Sequence, residues 1–92
     1  MSDKKRTHLD IVHDILSAMR DKKEPIVPTH LLYRSNLSHD RLKIYLDELI
    51  QKSFIAETED KAGKKRYQLT DDGYKFLQNF QQLREFTKSF GL

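Results

Sequence analysis

The chain has 92 residues, enough for one domain with a modest hydrophobic core. Its formal charge is +3 and 34% of its residues are charged, so most charges must be solvated, and the basic excess favours polyanionic partners only weakly. The absence of cysteine excludes disulfides and thiolate metal sites, and no run approaches the roughly 18 apolar residues of a membrane span.

The first predicted element is a helix that follows a basic arm, residues 1–6. Thr7 is the expected N-cap, and apolar residues then recur at helical spacing up to about Asp21. Residues 24–28 contain two prolines three positions apart, and each proline pushes the residue before it toward extended geometry. We therefore predict a short extended segment after the first helix.

Two further helices are predicted on either side of a tight turn. Thr29 is the expected cap of a short second helix, residues 30–35, and Asn36 tolerates the left-handed backbone that such a turn often needs. Ser38 is the expected cap of a third helix that runs to about Lys52. We expect Leu46 of this helix, with its apolar neighbours, to share one core with the first helix: Leu42, Leu49, Ile15 and Leu16.

The second half of the chain predicts a β-hairpin and a long helix. Residues 54–59 and 66–69 have the composition of strands, and the polar loop between them contains Gly63. Thr70 is the expected cap of a last helix of about 19 residues, or about 28 Å, and Asp71 and Asp72 suit the positive end of its dipole.

This order of elements predicts a mainly α fold with a small β-hairpin (α+β), a winged helix-turn-helix followed by a long C-terminal dimerisation helix. We assign residues 1–70 to a DNA-binding domain with a basic N-terminal arm, and residues 71–92 to an amphipathic helix for dimerisation. In DNA-binding proteins of this kind the third helix enters the major groove.

The sequence also resembles a known family, the small archaeal winged-helix chromatin proteins of the Sulfolobus ten-kilodalton "a" type. The residues that carry the resemblance are distributed over nearly the whole chain: Ile11, Asp14, Ile15, Leu16, Asn36, Leu37, Ser38, Lys43, Tyr45, Leu46, Leu49, Ile50, Tyr67, Leu69, Thr70, Gly73, Phe76 and Leu77. The resemblance implies DNA binding without strong sequence preference and dimerisation through antiparallel pairing of the last helix. One departure is His39, where an aromatic ring is expected; we predict that His39 packs at the edge of the apolar stripe.

Basic residues in three places are candidates for DNA contact. The hairpin tip carries Lys61, Lys64, Lys65 and Arg66, which suit phosphate contact, although a solvated loop would have the same composition. The arm carries Lys4, Lys5 and Arg6. The region of the second and third helices supplies the remaining candidates: Thr29, Tyr33, Arg34, Ser38, His39, Arg41, Lys43 and Ile44.

Some of these candidates have a second interpretation. Thr29 and Ser38 are helix caps first, although the free N–H groups at a helix N-terminus also suit phosphate. Tyr33 is either packed or donates its hydroxyl to a phosphate. Asp40 and Asp47 on the third helix would repel phosphate, so we expect the hairpin to supply more affinity than this helix, without strong base-specific readout.

The last helix predicts a homodimer. Residues at steps of four and three form a coiled-coil seam, with one further ring beside it, and these are the candidate interface residues: Phe76, Phe80, Leu83, Phe86, Thr87 and Phe90. The alternative is that the helix folds back on its own domain. We expect this for Phe76 and Leu77, and a partner subunit for Leu83, Phe86 and Phe90.

No pattern in the sequence indicates catalysis or a bound cofactor. The four histidines have no metal-ligand spacing, and none of the serines lies in a nucleophile motif. We therefore predict a DNA-binding protein, either architectural or a transcriptional regulator, with duplex DNA and a second copy as partners, and not an enzyme. We expect no cofactor, metal, membrane or small-molecule substrate, and a cytoplasmic location at the nucleoid. The alternatives are a protein-docking winged helix and an RNA-binding protein.

Overall fold

The computed structural model describes residues 6–22 and 24–92, and within these ranges the chain forms four helices and one antiparallel strand pair. In chain order the elements are α1 (His8–Asp21), α2 (Pro28–Ser35), α3 (His39–Gln51), β1 (Ile55–Glu59), β2 (Lys65–Leu69) and α4 (Asp71–Ser89). This is the predicted winged-helix arrangement, and the predicted fold class is confirmed. No helix of the described ranges is long and apolar enough to cross a membrane.

The helix boundaries follow local capping chemistry. Thr7 and Asp10 form a reciprocal capping box at the start of α1, Ser38 accepts a hydrogen bond from the Arg41 amide, and Thr70 accepts one from the Gly73 amide. Asn36 ends α2 in the left-handed conformation, with φ of 57°. These four caps are placed as the sequence predicted.

The prediction for the start of α2 is wrong. The helix begins at Pro28, with Val27 as an N-cap that makes no side-chain hydrogen bond, and Thr29 is an exposed residue in the first turn. Proline suits the first helical position because its fixed φ is already helical and its missing N–H would have no partner there. The second proline of the extended segment therefore starts the helix instead of delaying it.

The core is built around α1. Its buried residues are Ile11, Val12, Ile15, Leu16, Ala18 and Met19, and they join one cluster with the inward faces of the other helices and of the hairpin. The predicted set around Leu46 lies in this cluster, as expected: Leu42, Leu49, Ile15 and Leu16. One continuous core therefore holds all six elements together.

The hairpin is joined to the helices by the extended segment before α2. Ile55 pairs with Leu69 and Glu59 with Lys65, and on the other side of β2 Ile26 forms a bridge with Tyr67. The Ile26 amide donates to the Tyr67 carbonyl at 2.8 Å, and the Tyr67 amide donates back at 2.9 Å. The pairing of Ile26 was not predicted from the sequence. It adds a one-residue antiparallel bridge to β2 of the hairpin.

The start of α4 lies directly on the turn between α3 and β1. A Cβ atom on Gly73 would come within 2.3 Å of the Phe54 carbonyl oxygen, so only glycine permits this approach. The Thr70 hydroxyl donates to the Ser53 carbonyl at 2.6 Å. These contacts fix the direction in which the long helix leaves the domain.

Shortening a core side chain of α3 is expected to destabilise the fold. Leu46 is only 5% exposed, so Leu46→Ala should lower the free energy of unfolding by about 2–5 kcal/mol, because it removes apolar contact and leaves a cavity. Urea denaturation measures the change. Ile44→Ala on the solvent side of the same helix is the matched control, and it should stay within about 0.5 kcal/mol of the parent protein. Equal losses for the two variants would contradict the assignment of Leu46 to the core.

His13 of α1 faces α4, and its burial predicts a stability that depends on pH. Its ring stacks on Phe80 with 4.3 Å between the centroids. Burial lowers the pKa of His13, with Arg84 and Arg20 acting in the same direction, while Asp14 and Asp10 oppose the shift. The unfolded chain therefore binds the proton more readily than the fold, and the stability gained from neutral His13 is lost as the pH falls below the ordinary histidine value of 6.5.

We expect His13→Gln to weaken this dependence. The measurement is the free energy of unfolding at several pH values between about 5 and 7.5, where the parent should lose stability toward acid more steeply than the variant. His30→Gln, at an exposed position of α2, is the control and should keep the parent's dependence. The same pH profile for the parent and His13→Gln would exclude this role for His13.

Candidate nucleic-acid interface

The surface that the sequence predicts for DNA contact consists of α2, the outer face of α3, and the wing, by which we mean β1, β2 and the turn between them. We define the outer face of α3 by its exposed side chains: His39, Asp40, Arg41, Lys43, Ile44, Asp47 and Gln51. The turn of the wing holds Lys61 and Lys64, both exposed. These positions confirm that α3 and the wing each present a solvent-facing surface.

Asp60 builds the turn of the wing. Its Oδ1 accepts from the amides of Ala62 and Lys64, both at 2.9 Å, and its Oδ2 accepts from Arg66 Nε at 3.0 Å. The Lys64 amide, followed by the Arg66 guanidinium, lowers the pKa of Asp60 below its usual value. Gly63 follows with a φ of 80°, a backbone conformation that favours glycine. One carboxylate therefore sets the shape of the tip that carries Lys61 and Lys64.

The four basic residues of the wing are not equivalent. Lys65 pairs with Glu57 at 3.3 Å, which raises the pKa of Lys65, and Arg66 is held by Asp60 and by the Pro25 carbonyl at 3.2 Å. Within residues 6–22 and 24–92, neither Lys61 nor Lys64 takes part in an ion pair. The charge that the wing offers to a phosphate is therefore concentrated at the turn.

The outer face of α3 has mixed charge. The helix carries three acidic and two basic side chains, and Lys43 and Asp47 lie one turn apart with 3.8 Å between Nζ and Oδ2. Ile44 occupies the middle of this face and is 67% exposed. In contrast to the turn of the wing, this face has little net attraction for a phosphate backbone.

A cleft of about 260 Å³ separates α3 from the wing. It brings three candidate residues together, His39, Lys43 and Lys65, and its other lining residues are Pro28, Leu42, Leu46, Asp47 and Tyr67. His39 is exposed at this cleft, so the prediction that it packs against the core is wrong. As the first residue of α3 it lies beside the cap, where the helix surface faces solvent.

The candidates on α2 lie outside this cleft. Tyr33 is 82% exposed, which decides against the packed alternative, and with Arg34 it lines a separate hollow beside His30. Arg34 Nη2 donates to Asp21 at 2.9 Å, and this bond is the main cause of the lowered pKa of Asp21. Arg34 therefore ties the end of α2 to the end of α1.

The N-terminal arm is described only at Arg6, because Lys4 and Lys5 lie outside the described residues. Arg6 donates to Asp14 at 2.7 Å and to the Ser35 carbonyl at 2.7 Å. The guanidinium thus joins the middle of α1 to the end of α2. Arg6 therefore makes a contact within the protein, between α1 and α2.

The structure adds residues that the sequence analysis missed. Glu57 and Asp60 engage two of the wing cations, and Pro28 and Tyr67 form the apolar side of the cleft. The signal for Asp60 was its position just before a glycine-containing turn, which is typical of a side chain that bonds the backbone amides of the turn. Within the described ranges, no group of three or more acidic or histidine side chains could hold a metal ion.

Comparison with known proteins defines the class. The family model of the winged helix-turn-helix matches residues 5–88, and the chain belongs to that family. No curated protein matches the chain in sequence.

Three solved structures have this fold. Sso10a-2, a DNA-binding protein from Sulfolobus solfataricus, is 23% identical over 94% of this chain and 90% of its own, with a TM-score of 0.70. F-93 of SSV1 is 26% identical over 94% of this chain and 99% of its own, with a TM-score of 0.64. A PadR family transcription regulator from Clostridium difficile is 21% identical over 87% and 92%, with a TM-score of 0.74. The likeness to Sso10a-2 confirms, at the level of the fold, the resemblance found in the sequence.

Proposed function

We propose that this protein is a DNA-binding regulator or architectural protein that binds duplex DNA as a homodimer. Residues 1–70 would form the DNA-binding unit, and residues 71–92 the dimerisation helix. The observation that carries the proposal is the turn of the wing of this winged helix, which Asp60 shapes and which exposes Lys61 and Lys64. Similarity to Sso10a-2 and to a PadR family regulator supports it. Such a protein would act at the nucleoid.

The wing would bind the phosphate backbone and α3 would lie in the major groove. Phosphate contacts hold a protein in register on the duplex without reading its sequence, and the exposed ammonium groups at the turn suit this role. Lys65 and Arg66 would contribute less, because each would first have to leave an acidic partner within the hairpin.

One observation favours a second candidate function, a protein-docking winged helix. Asp40 and Asp47 expose carboxylates on the outer face of α3, and these would suit a basic protein surface better than a phosphate backbone. The salt dependence of duplex binding separates the two functions, because protein docking requires no counterion release from DNA.

Removing the two cations at the turn is the test of the wing. Each phosphate neutralised contributes about 0.9 to the slope of log affinity against log salt, so Lys61→Ala with Lys64→Ala should lower the slope by about 3–4 in a dimer with two wings. The loss should be nearly the same for duplexes of different sequence. A mobility-shift titration at several salt concentrations measures the slope.

The control is a variant with the same loss of charge on α4, Lys75→Ala with Lys88→Ala, both at exposed positions. It should keep a slope close to the parent's. If the wing variant instead keeps the parent's slope, the wing makes no phosphate contact and protein docking becomes the leading function.

The C-terminal half of α4 would form the dimer. Phe76 and Leu77 pack on their own domain, with Phe76 5.3 Å from Phe54 between ring centroids, whereas the end of the helix projects from it. We call the exposed apolar residues there the distal cluster: Leu83, Phe86, Phe90 and Leu92, which are 56–91% exposed. A second copy is the occupant that the coiled-coil spacing of the seam favours. Phe80 and Thr87, both half-buried, lie along the same seam.

Placing a charge in the distal cluster should separate the subunits. Phe86→Asp would bury an unpaired carboxylate in the interface, at a cost of several kcal/mol, so sedimentation at micromolar concentration should give a dimer for the parent and a monomer for the variant. Gln81→Asp, at an exposed position on the opposite face of α4, should remain a dimer. A monomeric parent protein would refute dimerisation through this helix.

A further inference from the structure

Ile44 lies at the centre of the outer face of α3, where it takes no part in the core. It is 67% exposed, while Leu42 and Leu46 on either side of it in sequence are 2% and 5% exposed. A β-branched side chain on the solvent side of a helix brings no packing and lowers helix propensity relative to alanine. The folded monomer therefore gains nothing from isoleucine at this position.

The surroundings of Ile44 separate it from the other exposed apolar side chains. The distal cluster and Tyr74 belong to the last helix and the residues after it, and Leu9 and Tyr33 lie on α1 and α2. On α3 itself, Asp40 and Asp47 lie about one turn before and after Ile44, and both are exposed. Ile44 is thus an isolated aliphatic group on an otherwise charged and polar face.

This arrangement suits base edges and not phosphates. Asp40 and Asp47 offset the charges of Arg41 and Lys43, with Lys43 paired to Asp47 at 3.8 Å, so this face has little net attraction for a phosphate backbone. An aliphatic side chain has no attraction for one either. In the major groove, the apolar group that a base pair presents at its edge is the C5-methyl of thymine, and carboxylates can accept hydrogen bonds from exocyclic amino groups there. The outer face of α3 therefore matches the chemistry of the base edges in the major groove better than that of the phosphate backbone.

We propose that Ile44 is a specificity-determining residue that packs on the C5-methyl group of thymine in the major groove. The inference rests on the proposed DNA-binding function and adds to it a sequence preference carried by α3. Because the contact is with a methyl group at C5 of a pyrimidine, 5-methylcytosine presents the same group at the same position and should be preferred over cytosine.

The test compares duplexes that differ only in this methyl group. One pair is an alternating dA-dT duplex against an alternating dA-dU duplex of equal length, and the second is alternating dG-dC against its 5-methylcytosine form. Burying one methyl-sized group is worth about fourfold in Kd, so the parent should bind the methylated member of each pair about fourfold more tightly for each α3 engaged. Fluorescence anisotropy at fixed salt measures the four Kd values.

Ile44→Ala is the variant that isolates the contact. It should bind both members of each pair equally, with a Kd near that of the parent on the unmethylated duplexes. Leu9→Ala shortens an exposed aliphatic side chain on α1 and should keep the parent's preference. The second pair separates a methyl contact from any change in duplex shape caused by uracil.

The outcomes distinguish this inference from the function on which it rests. Two results would overturn the inference and leave DNA binding intact, provided that all four duplexes are bound in a salt-dependent way. In the first, the parent shows no preference for the methylated duplexes. In the second, Ile44→Ala keeps the same preference as the parent. Failure of the parent to bind any of the four duplexes at low salt would overturn both.

Discussion

The burial of α1 on several sides is the constraint from which the rest of the architecture follows. Ile15, Leu16 and Ala18 have no measurable exposure, and α1 contacts α2, α4 and β2. In a chain of 92 residues there is not enough core for two independent centres, so each of these elements must direct its apolar side toward the same helix. The positions of the α2–α3 turn and of the wing are consequences of that packing.

Charged groups also serve to hold the elements together. Several cations stabilise contacts between elements: Arg6 joins α1 to α2, Arg34 joins the ends of the same two helices, and Arg66 joins the wing to the segment before α2. A net charge of +3 therefore gives a poor picture of what the surface offers to a polyanion. What matters is which cations have no acidic partner in the described part of the chain, and at the wing these are Lys61 and Lys64.

The elements were predictable from the sequence because their signals are local. Capping at Thr7, Ser38 and Thr70, the left-handed Asn36 and the helical spacing of apolar residues each depend on neighbours within one or two turns. The error at Thr29 came from weighing a capping side chain above a proline, although proline at the first helical position is an equally local signal.

The site was less predictable because its details depend on contacts between distant parts of the chain. The engagement of Arg66 by Pro25 and of Arg6 by Ser35 joins residues far apart in sequence, and spacing alone carries no sign of either contact. His39 illustrates the same limit, since its position at the edge of an apolar stripe fits both a packed and an exposed ring. Only the three-dimensional arrangement of α3 and the wing decides between them.

The bridge between Ile26 and Tyr67 has a consequence for how the wing depends on the helices. It closes a loop of about forty residues, and its two hydrogen bonds, at about 1 kcal/mol each, do not offset the entropy of closing that loop in an unfolded chain. The bridge therefore depends on the shared core, which contains both Ile26 and Tyr67 and holds the two ends of this loop together. Any change that loosens the helical body is then expected to loosen the attachment of the wing as well.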